Sequence, residues 1–179
     1  MLISLLFAAV LAAEAQSSAT QPTSLQSGPE AAAQAWFDAS QQQDWKRAAA
    51  VVDLNALVTF RNDMLPMLMS AKKGKSRDDV LAMFQVKSLS ELSQLEPRTF
   101  FARLMQSSAE QHPDVADAMK QATVVFVGSV EESPDLTHLV YRFKTQMDSL
   151  TSSSVQVISV RRTAGRWYVL LTGEMKGMK

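Results

Sequence analysis

The chain has no cysteine among its 179 residues. Disulfides, thiolate nucleophiles, zinc–thiolate sites and iron–sulfur clusters are therefore excluded. It also lacks an excess of charge of either sign, with 18 Lys and Arg against 18 Asp and Glu. A near-neutral chain carries no electrostatic footprint for nucleic acid or an anionic membrane. Histidine is scarce, with only His112 and His138, which leaves two positions for imidazole acid–base chemistry. After the first dozen residues no apolar run approaches the ~20 residues needed to cross a bilayer.

The one long apolar run is residues 2–13, which carries no charge. About a dozen residues suit the hydrophobic region of a secretory signal peptide and fall short of a membrane helix. Ala13 and Ala15 flank Glu14, placing small residues where a signal peptidase reads. Residues 1–15 are thus predicted to be a signal peptide, cleaved before Gln16, although no Lys or Arg precedes the run. With no cysteine at the cleavage point there is no lipid attachment site. The product is expected to be periplasmic or secreted, without a stable membrane anchor. Cleavage leaves 179 less 15, or 164, residues and removes Glu14, a length that suits one domain. Without disulfides such a domain rests on its own core, which fits a bacterial envelope better than a disulfide-dense secreted fold.

Residues 16–28 are polar apart from Leu25 and read as a flexible linker. Residues 29–121 carry helical signals. Pro29 and Glu30 open a first helix, with Ala33, Trp36, Phe37 and Ser40 on one face. Asp44 and Asp53 are good caps for a second helix from Trp45 and a third over residues 54–71. Leu54, Leu57, Val58, Arg61, Leu65 and Leu68 form the face of that third helix, and Pro66 predicts a kink or break in it. Ser76 and Asp79 resemble a capping box. Short helices are expected after Ser88 and Glu96, and a last one capped by Asp114.

Residues 122–173 change character. A β-branched run at residues 122–130, a turn at 131–135, alternation from Thr137 to Thr145, a strand over 155–161, a turn at 163–166 and a strand over 167–171 predict an antiparallel meander. Helices first and strands last make the fold class α+β, with N-terminal helices packed on a C-terminal four-stranded antiparallel sheet.

Two segments resemble a known superfamily. Pro29, Glu30, Trp36, Phe37 and Asp38, followed by Gln43, Asp44, Trp45 and Lys46, are similar to the first helix pair of the nuclear transport factor two-like superfamily, the cystatin-like α+β cone. Gly165, Arg166, Trp167, Tyr168 and Val169 are similar to its last hairpin, where a glycine turn precedes a tryptophan-bearing strand. The likeness covers about a third of the chain, and residues 54–120 depart from it by reading almost wholly helical. The resemblance implies a cone between helix and sheet. It does not choose among the isomerases, dehydratases, carriers and structural modules that share the plan.

Candidate chemistry is sparse. No Gly-x-Ser-x-Gly occurs, and Ser129 falls in a strand. His138 shares an outward strand face with Arg142 and Lys144, with no evident carboxylate partner, and His112 lies in a turn. Asp78–Asp79 and Glu131–Glu132 are adjacent pairs whose side chains diverge, so they suit a helix start and a turn better than a metal. Met64, Met67 and Met69 are thioethers of the kind that select Cu(I), but methionine also fills irregular cores. Lys72, Lys73, Lys75 and Arg77 read as a solvated turn. No cofactor and no metal site are expected.

What remains is a pocket lined by Trp36, Phe37, Tyr141, Phe143 and Trp167, for a small apolar ligand or a protein partner. The same residues read more simply as a closed core. The leading expectation is a non-enzymatic binding module with no nucleic-acid partner. The alternative is a cone-pocket enzyme, isomerase- or dehydratase-like, using general acid–base chemistry.

Overall fold

The computed structural model describes residues 28–71, 74–147 and 150–171. The expected signal segment, the linker up to Ser27, and Lys72 and Lys73 lie outside them. Among the described residues seven helices precede four strands: α1 (Pro29–Gln41), α2 (Trp45–Val51), α3 (Leu54–Met69), α4 (Lys75–Met83), α5 (Leu89–Gln94), α6 (Pro97–Gln111) and α7 (Pro113–Lys120), then β1 (Thr123–Ser133), β2 (Leu136–Met147), β3 (Leu150–Thr163) and β4 (Arg166–Val169). The strands form one antiparallel sheet in the order β1-β2-β3-β4. This is the expected α+β arrangement. Among the described residues no helix is long and apolar enough to cross a membrane.

Local chemistry accounts for most element ends. Gly28 is the N-cap of α1, with Pro29 at its first position and Glu30 in its first turn. The Asp44 carboxylate accepts from the Arg47 N–H, and that of Asp53 accepts from the Ala56 N–H, each at 3.0 Å. These bonds satisfy donors that a helix start leaves open. Ser88 accepts from the Glu91 N–H at 3.1 Å, while Glu91 accepts from the Lys87 N–H at 2.9 Å. The β3–β4 hairpin turns on Ala164 (φ 50°) and Gly165 (φ 79°), the paired positive φ values of a type I′ turn.

Several expectations are corrected. Pro66 does not end α3, which runs on to Met69. A proline there removes one backbone donor close to the helix end, and Leu68, buried against Phe84, Leu92 and Phe100, holds the last turn in place. Leu54 is exposed, and Phe60 packs inward instead, into two clusters. Helix α4 starts after Gly74, at φ 103°, so Ser76 lies inside it and does not cap it. Only glycine adopts that φ readily. His112, not Asp114, is the N-cap of α7, and Asp114 sits in the first turn. Glu131 and Glu132 belong to β1, because the β1–β2 turn has contracted to Pro134 and Asp135. Strand β3 begins at Leu150, earlier than expected from the serine-rich stretch ahead of Val155.

The core follows the two periodicities. Leu139, Tyr141 and Phe143 of β2, with Val160 and Val169, present one buried face to Ala32, Ala33 and Phe37 of α1. Phe37 meets Tyr141 and Phe143 edge-on, with centroids 4.8 and 5.1 Å apart, a favoured geometry for aromatic quadrupoles. The helices hold a second core around Phe84, Phe100, Phe101, Leu57 and Leu92, all fully buried. Val52 bridges Val169 in parallel, and the Asp53 N–H donates to the Val169 carbonyl at 2.9 Å. Those contacts fasten the α2–α3 corner to β4.

Candidate functional site

Between the helices and the sheet lies a cleft of about 620 Å³. Trp36, Phe37, Trp45 and Met105 line it from the helices, and Phe143 and Ile158 from the sheet. Its position follows from strand lengths. β4 pairs only with Val160–Thr163 of β3, so among the described residues the rest of that β3 edge has no strand beside it. Val155 and Val157, 60% and 52% exposed, rim the cleft along this edge. A smaller chamber of about 170 Å³ adjoins it, lined by Gln43, Ser108, His112 and Val115 among others. Ser40, Trp45, Met105 and Met119 line both. No Asp, Glu, Lys or Arg is among the described residues lining either space.

Three of the five residues expected to form a pocket, Trp36, Phe37 and Phe143, line the cleft. Tyr141 and Trp167 do not. Tyr141 is 3% exposed and fills the core between Phe37 and Phe126, whose ring lies 5.5 Å away. Burial, and to a smaller extent the Glu30 carboxylate, push its phenol above the usual tyrosine range. Trp167 packs on the margin of the sheet core, with the Arg162 guanidinium 5.8 Å from its ring centroid. Trp45, Met105, Met119 and Ser40 are wall residues that were not expected in the pocket. Ser40 and Trp45 were read as part of a helix face and as a helix start, and only the α1–α2 corner turns them onto a shared wall.

Two polar atoms on that wall have no partner among the described residues, the Ser40 hydroxyl and the Trp45 indole N–H. Their residues are 4% and 8% exposed. Buried donors are paired in the great majority of cases, so each of these requires a reason.

A second cluster lies on the outer face of the sheet. His138 accompanies Val140, Arg142 and Lys144 there, as the alternation predicts. It does have a carboxylate partner: Nε2 is 2.6 Å from Glu132 Oε2, and Nδ1 is 2.8 Å from Ser159 Oγ. Glu132 is the extra residue of a bulge between Glu131 and Ser133, and a bulge re-aims a side chain out of strict alternation. Ser159 sits opposite His138 on β3. The residue types are those of a hydrolytic triad, but Ser159 is 6% exposed while the Glu132 side chain is 61% exposed. A nucleophile has to meet its substrate, and this hydroxyl is covered. The row ties β1, β2 and β3 together across their outer face. Of the three, Ser159 lines the cleft, while His138 and Glu132 do not.

The methionines do not converge on one surface either. Met64 packs around the Phe84 core, while Met67 and Met69 are exposed.

No family model and no curated protein matches the chain. Among solved structures it is similar to a SEC-C motif containing protein from Rhodopseudomonas palustris, at 12% identity and a TM-score of 0.42, covering 83% of this chain and 79% of that one. It is also similar to an NTF-2-like protein of unknown function from Shewanella oneidensis MR-1, at 11% identity and a TM-score of 0.41, covering 77% and 88%.

Proposed function

We propose that this protein is a binding module, not an enzyme, that takes a small apolar ligand in the cleft between α1, α2, α6 and the sheet, and that it acts outside the cytoplasm. The observation that carries the reading is a cleft of about 620 Å³ walled mainly by aromatic and aliphatic side chains, with Ser40, Gln156 and Ser159 as its polar members and no charged residue among the described ones. Binding sites for small molecules are concave and mostly apolar in this way. The segments that resemble the nuclear transport factor two-like superfamily occupy α1–α2 and the β3–β4 hairpin, and both border the cleft. The export half of the reading rests on the apolar run at residues 2–13.

The enzyme alternative draws support from Glu132 beside His138. Neither His138 nor Glu132 lines the cleft, which they meet only through Ser159, and with both titratable groups outside it binding is favoured over acid–base chemistry.

The test is fluorescence titration with N-phenyl-1-naphthylamine, a neutral probe that brightens in apolar surroundings. Saturable binding is expected, and Met105→Trp, which fills the wall common to both spaces, lowers affinity at least tenfold while leaving circular dichroism unchanged. A chain that does not bind the probe, or a Met105→Trp variant that binds as well as wild type, overturns the reading. Export is tested separately by N-terminal sequencing of the protein recovered from the expressing cell's envelope or medium. A start near Gln16 supports it, and an intact Met1 refutes it.

A further inference from the structure

The two unpartnered donors say more about the ligand. A serine inside a helix ordinarily gives its hydroxyl to the carbonyl four residues back, here that of Trp36. Ser40 makes no such bond. Trp45 stands at the first position of α2, immediately after its Asp44 cap, and an indole N–H can only donate. The backbone closes the corner between them, with the Asp44 N–H on the Ala39 carbonyl at 2.9 Å and the Gln43 N–H on the Ser40 carbonyl at 3.0 Å. Both side chains line the cleft and the smaller chamber. An sp² oxygen has two lone pairs, one for each donor.

Charge narrows the class. Neither space is lined by a Lys or Arg among the described residues, and His112, the titratable side chain of the smaller chamber, is exposed. A carboxylate taken there would lose its hydration without gaining a desolvated counter-ion. A neutral carbonyl carries no such penalty. Both donor atoms are closed off from solvent, so a ligand reaches them by displacing the side chains above. Met105 and Met119 belong to both spaces, and an unbranched thioether repacks readily.

We infer that the cleft takes a neutral, apolar molecule bearing a carbonyl, such as a long-chain ketone, ester or amide, whose oxygen accepts from Ser40 Oγ and Trp45 Nε1. This rests on the cleft being the binding site. The experiment uses the full chain and displaces N-phenyl-1-naphthylamine with octane, 2-octanone and octanoate. 2-Octanone is expected to act at about a tenth of the octane concentration, with octanoate the weakest. Ser40→Ala and Trp45→Phe each weaken 2-octanone about fivefold, as for the loss of one net hydrogen bond, and leave octane within twofold. Ser40→Ala removes a single oxygen, so it remains decisive even where Trp45→Phe fails to fold. Octanoate outcompeting 2-octanone, or variants that bind 2-octanone like wild type, overturns the inference while the cleft reading stands. In that outcome the two donors hold trapped water only. Failure of the probe to bind at all takes down the cleft reading and this inference together, and the two failures are therefore distinct.

Discussion

Replacing Ser40 by alanine is expected to stabilise the ligand-free protein, although the residue is 4% exposed and removing buried atoms usually does the reverse. In the unfolded chain the hydroxyl is hydrated. In the folded chain it is closed off and has no partner among the described residues. Leaving a buried hydroxyl unsatisfied costs about 1–3 kcal/mol. Against that, its removal forfeits the few dispersion contacts of one oxygen, each about 0.1–0.2 kcal/mol, while alanine adds a few tenths in helix propensity. The net gain is about 1 kcal/mol, or a rise of about 2–4 °C in the melting midpoint for a domain of this size. Ser107→Ala is the matched control. Ser107 is 7% exposed, also inside a helix, but its hydroxyl accepts from Gln111 Nε2 at 3.1 Å. Losing that bond costs about 1 kcal/mol, so this midpoint falls by about 2–4 °C. Calorimetry of the two variants beside wild type is the assay. If Ser40→Ala melts below wild type, the hydroxyl has a partner in the folded protein and the argument from an unpaired donor collapses.

Phe84→Ala should lower stability by about 3–5 kcal/mol, because the ring is fully buried 4.6 Å from that of Phe100; urea unfolding with an unchanged slope would show it, and a loss below about 1 kcal/mol would mean the helical core collapses around the gap. Tyr141 gives an alkaline signature: its folded pKa is raised above an unfolded value near 10, so its contribution is whole below pH ~10 and is lost as pH rises through the folded value. Tyr141→Phe should therefore flatten part of the stability loss above pH ~10, and an unchanged slope in urea titrations would show that the phenol is not the source. Ala164→Asn should raise stability by about 0.5–1 kcal/mol, since Ala164 holds φ 50° in the hairpin turn and asparagine tolerates that region far better; a lower thermal midpoint would refute the turn assignment.

Much of the fold was legible in sequence because it is written in local signals. Asp44, Asp53 and Ser88 announce helix starts through side chains that bond their own first turns, and the alternation from Thr137 to Phe143 names the buried face of β2 residue by residue. Misreadings occurred where tertiary packing outweighed a local rule. Pro66 was carried through by the burial of Leu68. Gly74 took the cap from Ser76 because the chain needed a positive φ there. The serine-rich start of β3 has little strand propensity and is recruited by pairing with β2. The cleft was half-legible. Phe37 and Phe143 sit on periodic apolar faces, but an apolar face does not say whether it closes on a partner or leaves a gap. The gap exists because β4 is four residues long beside a fourteen-residue β3, a length mismatch with no local signature.

The outer-face row shows why a cluster can be present in structure and invisible in sequence. Reading Glu131 and Glu132 as a turn placed both carboxylates away from His138, and strict period-two counting on a longer strand would still have left the Glu132 side chain unassigned. The contact depends on one extra residue in β1, which advances the register between Glu131 and Ser133 and brings Glu132 alongside the imidazole. The partner on the other side, Ser159, is set by the β2–β3 register, which depends in turn on where the connection between those strands closes. Two registers, each fixed by long-range pairing, thus align three residue types whose combination suggests chemistry. Exposure then decides against that chemistry: the would-be acid is the most open of the three and the would-be nucleophile the most covered, the reverse of what attack on a substrate requires. A row with that gradient is a brace across three strands; it meets the cleft only through Ser159, while His138 and Glu132 lie outside it.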